Sequence, residues 1–308
     1  MSLEIVKSGF LTLLQDYGRY GYQRLGVTSG GPIDEHAFLW ANHLLGNNPN
    51  DTVLEISYGG FKAVAKHDGM TSICGADLCA KINNKAVMPW RTHFIRKGDT
   101  IEFTSPKSGM RAYLAIKGGF LAPQQLLSTS TVVRERIGGL KKDGGKIQDN
   151  DVVGYIESHE NLVKSVPKKF IPQYSNKMNV RFIPNFSETG IDKETLDRFT
   201  SQSYKVTQSI DRMGYRLAGE PVHTKNAGII SQGIAMGSIQ LPKDGNPIVL
   251  MRDRQTIGGY PFVGCVSHLD LSLLSQALPD TMVSFIPVDI SEVEPELILH
   301  KKFFRVPF

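Results

Sequence analysis

Along this chain the apolar residues come in short alternating runs rather than long helical stripes. Val53-Leu54-Glu55-Ile56 runs into Gly59-Gly60 and resumes as Phe61-Lys62-Ala63-Val64-Ala65. The stretch from Asp77 to Ile82 and the run from Lys85 to Val87 flank Asn83-Asn84, a pair that tolerates the positive φ of a two-residue hairpin turn. Thr100-Ile101-Glu102-Phe103 follows the turn Lys97-Gly98-Asp99, and the run from Arg111 to Ile116 ends at Gly118-Gly119. Strands this short, with turn signals between them, predict a mainly β protein with closed or nearly closed barrels rather than an alternating βαβ sheet.

Three helices interrupt this pattern. Ala37, Trp40, Ala41, Leu44 and Leu45 share one face of a helix from Glu35 to Leu45, with Asp34 as its N-cap and Gly46 placed for a left-handed C-terminal residue. A second helix is predicted from Lys193 to Phe199 behind Asp192. A third is predicted from Leu271 to Ala277, capped by Asp270 and stopped by Pro279. Between Glu157 and Gln173 lysines alternate with Pro167 and Pro172, which marks a linker and divides the chain into domains 1–170 and 171–308. Residues 134–150, rich in Gly, Lys and Asp, read as a long exposed excursion.

The 308 residues are 41% apolar, enough to bury a sizeable core. No uncharged apolar stretch of about 18 residues exists, and Met1 to Lys7 reads as a strand rather than a signal segment, so a cytoplasmic protein with no membrane partner is expected. Three cysteines without zinc-type pairing predict neither a disulfide framework nor a metal site. The formal charge of +5 is spread over scattered Lys and Arg rather than gathered in a stripe, which argues against a nucleic-acid partner. The run Leu140 to Ile147 resembles a phosphate loop, but Leu140 replaces the first glycine and Ile147 the magnesium-binding hydroxyl. The runs Gly26 to Gly30 and Gly228 to Gly233 miss the nucleophile-elbow spacing by one residue. Asn185-Phe186-Ser187 matches a glycosylation pattern that carries no weight without a secretory signal.

Three segments stand out because each sets an Asp two or three residues from an Arg, beside glycines. They run from Leu14 to Arg24, from Ser209 to Leu217 and from Arg252 to Pro261. Arginine there offers bidentate contacts to a carboxylate or phosphate. Spacing alone leaves two readings open: these residues converge on a ligand, or each Asp and Arg pair simply holds its own loop.

The motifs Thr12-Leu13-Leu14-Gln15-Asp16-Tyr17-Gly18-Arg19, Gly31-Pro32-Ile33-Asp34, Asp211-Arg212-Met213-Gly214-Tyr215-Arg216-Leu217, Gly237-Ser238-Ile239-Gln240-Leu241-Pro242 and Asp253-Arg254-Gln255-Thr256-Ile257-Gly258-Gly259-Tyr260-Pro261 follow one another in order. With them the chain resembles the KipI-antagonist (KipA) family, the C-type component of bacterial 5-oxoprolinase, related to the biotin-dependent carboxyltransferase domain of urea carboxylase. The resemblance implies two β-rich domains of cyclophilin-like barrel type with a few short helices. It implies two partners, a KipI-like B-type component and an A-type component of 5-oxoprolinase. The complex would open the lactam 5-oxoproline to L-glutamate in an ATP-dependent reaction, this chain being inactive or nearly so alone. An alternative it also implies is carboxyl transfer from carboxybiotin to urea or another amide. The chain has no Met-Lys-Met context, only Lys177-Met178, so biotin would come from another protein. A third alternative is a regulator that binds a KipI-type kinase inhibitor. No cofactor is expected on this chain alone.

Both chemistries require a polarised amide, a held anion and a group that moves a proton. On that demand Asp253 and Asp211 are the candidate catalytic bases, and Arg252, Arg254 and Arg212 the anion clamps. Gln15, Gln240 and Gln255 are the amide-recognition groups, and Tyr260 lines the pocket. Asp16 is a further candidate base or, as Asp211 and Asp253 could also be, a group that orients the arginines in the substrate site.

Overall fold

The computed structural model describes residues 1–160, 162–185, 191–224 and 230–307. Phe186 and Ser187 of the glycosylation-like triplet, and Gly228 and Ile229 of the second glycine run, lie outside the described residues. The chain forms two compact units, Met1–Gly21 with Ser29–Tyr174 and Tyr22–Thr28 with Ser175–Phe308. It passes from the first to the second at Tyr174, and the strap Tyr22–Thr28 belongs to the second although its neighbours in sequence belong to the first.

The first unit holds two sheets. One has seven strands in the order Phe120–Leu121, Val152–Tyr155, Ser2–Ser8, Phe61–Ala65, Thr100–Phe103, Lys81–Ile82 and Lys85–Ala86. The other has five, in the order Leu11–Gln15, Val53–Ser57, Ser108–Ile116, Gly69–Asp77 and Arg91–Ile95. Leu3, Ile5, Phe61 and Phe103 of the first sheet join Leu14, Leu54, Ile56 and Leu114 of the second in one core cluster. Helix Glu35–Leu45 packs on the five-stranded sheet, where Ser72 Oγ donates to the carbonyl of Ala41 at 2.6 Å. Strand Val53–Ser57 is therefore buried at every position, its polar members Glu55 and Ser57 included.

The second unit is a closed barrel in the order Lys177–Pro184, Phe262–Val266, Ser238–Gln240, Ile248–Leu250, Gly214–Ala218, Ser203–Ile210 and Met282–Pro287. Six of its seven strand pairings are antiparallel; the barrel closes where Lys177–Pro184 runs parallel to Met282–Pro287. Every second residue points inward. Val180, Phe182, Tyr204, Val206, Tyr215, Leu217, Val283 and Phe285 are buried, and the Phe199 ring, from helix Lys193–Thr200, lies 4.8 Å from Phe285 and 5.5 Å from Phe182. Among the described residues no helix is long and apolar enough to cross a membrane.

The local signals hold for the first helix, whose Asp34 accepts from the Ala37 N–H at 2.9 Å while Gly46 sits at φ 65°. They hold also for Asp192, which accepts from the Thr195 N–H at 2.8 Å. The third helix is His268–Leu274, not 271–277. Ser267 is its cap, accepting from the Asp270 N–H at 3.4 Å, and Asp270 is one turn in, where its carboxylate meets Arg181 at 2.8 Å. A fourth helix, Ile290–Phe304, has no counterpart among the three that the pattern predicts. The excursion over residues 134–150 is anchored rather than wholly exposed: Ile147 is 2% exposed within the core cluster, and its N–H donates to Thr12 at 2.9 Å. The Pro-rich stretch before Gln173 is pinned to strand Arg91–Ile95, with the Lys164 N–H donating to Thr92 Oγ1 at 2.9 Å and the Val166 N–H to Trp90 at 2.9 Å.

Candidate functional site

The barrel strands Ile248–Leu250 and Phe262–Val266 are joined by a loop that carries Arg252, Asp253, Arg254 and Gln255. Its first half is zipped to the turn at Arg212. The Met251 N–H donates to the Met213 carbonyl at 2.8 Å and the Asp253 N–H to the Arg212 carbonyl at 2.7 Å. Asp211 builds that turn: its carboxylate accepts from the Met213 and Gly214 N–H groups at 2.7 and 3.0 Å. The side chain of Asp211 is thus exposed and committed to its own backbone. Arg212, held in place, donates in parallel from Nε and a terminal nitrogen to the two Asp253 oxygens at 2.8 and 2.9 Å. The pair is almost wholly removed from water. A fork of this kind fixes orientation as well as charge.

Arg254 is in a different condition. Its Nε donates to the Ile234 carbonyl at 3.1 Å, and its own carbonyl accepts from Thr28 Oγ1 of the strap at 3.2 Å. No carboxylate forms an ion pair with it among the described residues. Burial, reinforced by the neighbouring Arg252, pushes its pKa down to about 10. Cys265, whose thiol donates to the Met236 carbonyl at 3.2 Å, is pushed up to about 11 by burial, with Arg254 opposing the shift. A cavity of about 550 Å³ opens beside Arg254, lined also by Arg24, Gly26, Ile234, Thr256 and Ile257.

Gln240 is not among the residues that line this cavity, but it neighbours one of them, Ile234. Gln240 is 2% exposed, and its Nε2 has no hydrogen-bond partner among the described residues. A Cβ built on Gly258 would stand 2.9 Å from that Nε2 and 2.7 Å from Ile234 Cδ1. Gln240, Ile234 and Gly258 therefore meet at one point, and Arg254 reaches the carbonyl of the same Ile234. A donor N–H left idle in a buried position has a cost, which a carbonyl or carboxylate ligand would relieve.

Arg212, Asp253, Arg254 and Gln240 thus gather in the second unit, with Arg252 buried and electrostatically felt by Arg254. Gln255 is half-buried and Tyr260 is 46% exposed. Gln15 and Asp16 belong to the first unit and brace it. Gln15 donates to the Thr131 carbonyl at 3.0 Å and accepts from the Gly31 N–H at 3.1 Å. Asp16 accepts from Gly18 N–H, Thr129 N–H, Ser128 Oγ and Ser130 Oγ at 2.6–3.0 Å, and it orients no arginine side chain through these bonds. Sequence reasoning missed the strap with Arg24, although Arg24 closes the first of the three polar segments. It missed also a buried network in the first unit. There the Tyr113 hydroxyl donates to Glu55 at 2.8 Å and accepts from the Asp34 N–H at 2.8 Å, while the Tyr174 hydroxyl reaches Asp34 at 3.3 Å. Burial holds both phenols well above their ordinary range. The available signal was one charged residue, Glu55, between Leu54 and Ile56.

The profile of the carboxyltransferase domain, subdomain A and B, matches residues 25–287, and the chain belongs to that family. Within it the chain is similar to the C-type component of 5-oxoprolinase from Escherichia coli, with 32% identity over 292 residues, 94% of this chain and 92% of the relative. It is also similar to the urea amidolyase of Saccharomyces cerevisiae, with 28% identity over 93% of this chain but only 17% of that much longer protein. The crystal structure of the K. lactis urea amidolyase superposes with a TM-score of 0.91 at 23% identity, over 98% of this chain and 20% of that one, which establishes the shared fold.

Proposed function

We propose that this chain is the C-type component of an ATP-dependent 5-oxoprolinase, which opens 5-oxoproline to L-glutamate together with A- and B-type components. The observation that carries this reading is the match to the Escherichia coli C-type component over nearly the full length of both chains. The geometry supplies what such a substrate needs. Arg254, which has no ion-pair partner among the described residues, takes the substrate carboxylate at the cavity wall. The Gln240 N–H donates to the lactam carbonyl oxygen, where negative charge grows as the ring opens. Both Asp253 oxygens already accept from Arg212, so in this reading Asp253 positions the loop rather than moving a proton. ATP hydrolysis by the complex drives the reaction; the altered phosphate-loop run at Leu140 argues that the nucleotide is held by another component.

The carboxyltransferase-domain profile and the sequence likeness to urea amidolyase support carboxyl transfer to an amide as the second reading. The same arginine would then hold a carboxylate and the same carboxamide the urea oxygen, with biotin delivered by another protein. Reconstitution separates the two. Glutamate formed from 5-oxoproline only by the complete set of components with ATP supports the first. No glutamate from the complete set, together with urea-dependent turnover in the presence of a biotinylated carrier, overturns it.

A further inference from the structure

The cavity beside Arg254 has a second cation. Arg24, in the strap, lines it together with Arg254, Gln23, Gly26 and Thr256. No carboxylate lines it among the described residues. Arg254 is 9% exposed and spends only its Nε, on the Ile234 carbonyl; its terminal nitrogens make no hydrogen bond or ion pair among the described residues. Arg24 is exposed and makes none there with any of its nitrogens. Asp253, the carboxylate beside Arg254 in sequence, already has both oxygens on Arg212. The strap is folded so that Arg24 stays at the cavity. The Leu25 N–H donates to the Tyr22 carbonyl at 2.9 Å and the Gly26 N–H to the Gln23 carbonyl at 2.9 Å. Gly26 closes that turn at φ 79°, a conformation that suits glycine. Thr28 then ties the strap to the backbone of Arg254 itself. Further wall comes from a ribbon in which Gln232–Gly233 pairs with Ile257–Gly258 and the Ile234 N–H donates to the Thr256 carbonyl at 3.1 Å. An arginine that served only the fold would be bonded to the chain around it, and Arg24 is not.

We infer that this cavity is a site for a small dicarboxylate, in which Arg254 holds one carboxylate and Arg24 the other. Two guanidinium groups carried on separate segments suit two charges at the ends of a short carbon chain better than one compact anion. The length of that carbon chain rests on the reaction proposed above. 5-Oxoproline carries one carboxylate. In net ring opening the lactam C–N bond breaks, the oxygen of water forms the new C–O bond, and both water protons end on the nitrogen as ammonium. A second carboxylate is left on the former carbonyl carbon. Arg24 therefore meets a charge that the substrate lacks and the product has, and its attraction grows as the ring opens. It is a specificity-determining residue for the five-carbon dicarboxylate that results.

Titration calorimetry of the purified full chain at low ionic strength, with glutarate, butyrate and inorganic phosphate, tests this without any turnover. Glutarate should bind at least about fivefold more tightly than butyrate, which offers a single carboxylate. Arg24→Gln should abolish that preference by weakening glutarate alone, with the butyrate affinity and the melting curve unchanged, since Arg24 is bonded to nothing in the fold. Arg254→Gln should weaken both ligands. No detectable binding of glutarate, equal affinities for glutarate and butyrate, a preference that survives Arg24→Gln, or phosphate bound more tightly than glutarate overturns the inference. The result is separable from the reaction it builds on. A complete set of components that forms no glutamate while the glutarate preference holds refutes the reaction and leaves the dicarboxylate site standing; glutamate formation by a set whose C-type chain shows no preference refutes the site alone.

Discussion

Replacing Asp253 by asparagine removes one charge from a pair whose members are only 6% and 5% exposed. The surviving Arg212 stays buried without its carboxylate, and its parallel donors now face an amide that offers a single acceptor. Stranding one member of a buried pair costs about 3–5 kcal/mol. For a unit of this size that is a fall in the melting midpoint of roughly 10–17 °C. Replacing both partners, as Arg212→Met with Asp253→Leu, strands nothing, so the double variant should lose far less than the sum of the singles. A coupling of at least about 1.5 kcal/mol is expected. Urea unfolding read by far-UV circular dichroism suits the measurement, because the helices Lys193–Thr200, His268–Leu274 and Ile290–Phe304 all lie in the second unit. Trp40 and Trp90 both lie in the first, and their fluorescence follows that unit separately. Single variants that add to within about 0.5 kcal/mol would show that the two side chains do not depend on each other, and the account of the loop would fail.

Arg254 carries a second prediction. Its pKa is lowered to about 10, below the ordinary guanidinium range, so above that value the unfolded chain holds the proton more tightly and folding stability rises with pH. At neutral pH the charged group is therefore a net cost, and Arg254→Met should be more stable than wild type by about 1–2 kcal/mol after losing the Ile234 hydrogen bond, while 5-oxoproline turnover falls at least about tenfold. A lower melting midpoint for this variant would contradict the electrostatics. Gln240→Met removes an idle buried N–H at similar volume, so stability should stay level or improve by about 1 kcal/mol while turnover drops; a marked loss of stability would make the residue a structural one. Asp16→Ala leaves two backbone and two hydroxyl donors without their acceptor, and should cost about 3–5 kcal/mol in the tryptophan-monitored unfolding of the first unit, an unaltered midpoint being the opposing result.

What the sequence revealed and what it hid follow from the range of the interactions. Asn83 and Asn84 take φ of 49° and 63°, so the hairpin is written in two residues. The first helix is written in its stripe and its cap. The third is displaced from its predicted span because Asp270 resembles an N-cap; it stands three residues inside one, where an acid also suits the helix dipole. The fourth is masked because Pro295 interrupts it and Leu299 and Phe303 blur its buried stripe, although Asp289 and Glu292 signal a capping box. Composition alone suggests solvent for residues 134–150, yet one isoleucine, Ile147, anchors that stretch in the core. At the site, the motif around Asp253 is visible but its partner is not: Arg212 is 41 residues away, and its own motif offers Asp211 as a nearer mate. Which charges neutralise each other is decided by strand order, and local spacing does not encode it.

The strap Tyr22–Thr28 has a consequence for synthesis. Thr28 leaves the ribosome early, but the carbonyl it bonds, on Arg254, follows 226 residues later, and the barrel seam waits longer still for Met282–Pro287. At about 5–20 residues per second the strap has no partner for roughly 10–45 s. Through that interval the nascent chain carries an unsealed barrel and a loose segment that includes exposed Leu25, so chaperone demand should peak late in translation, and a permuted chain that makes the barrel before the strap should need less help.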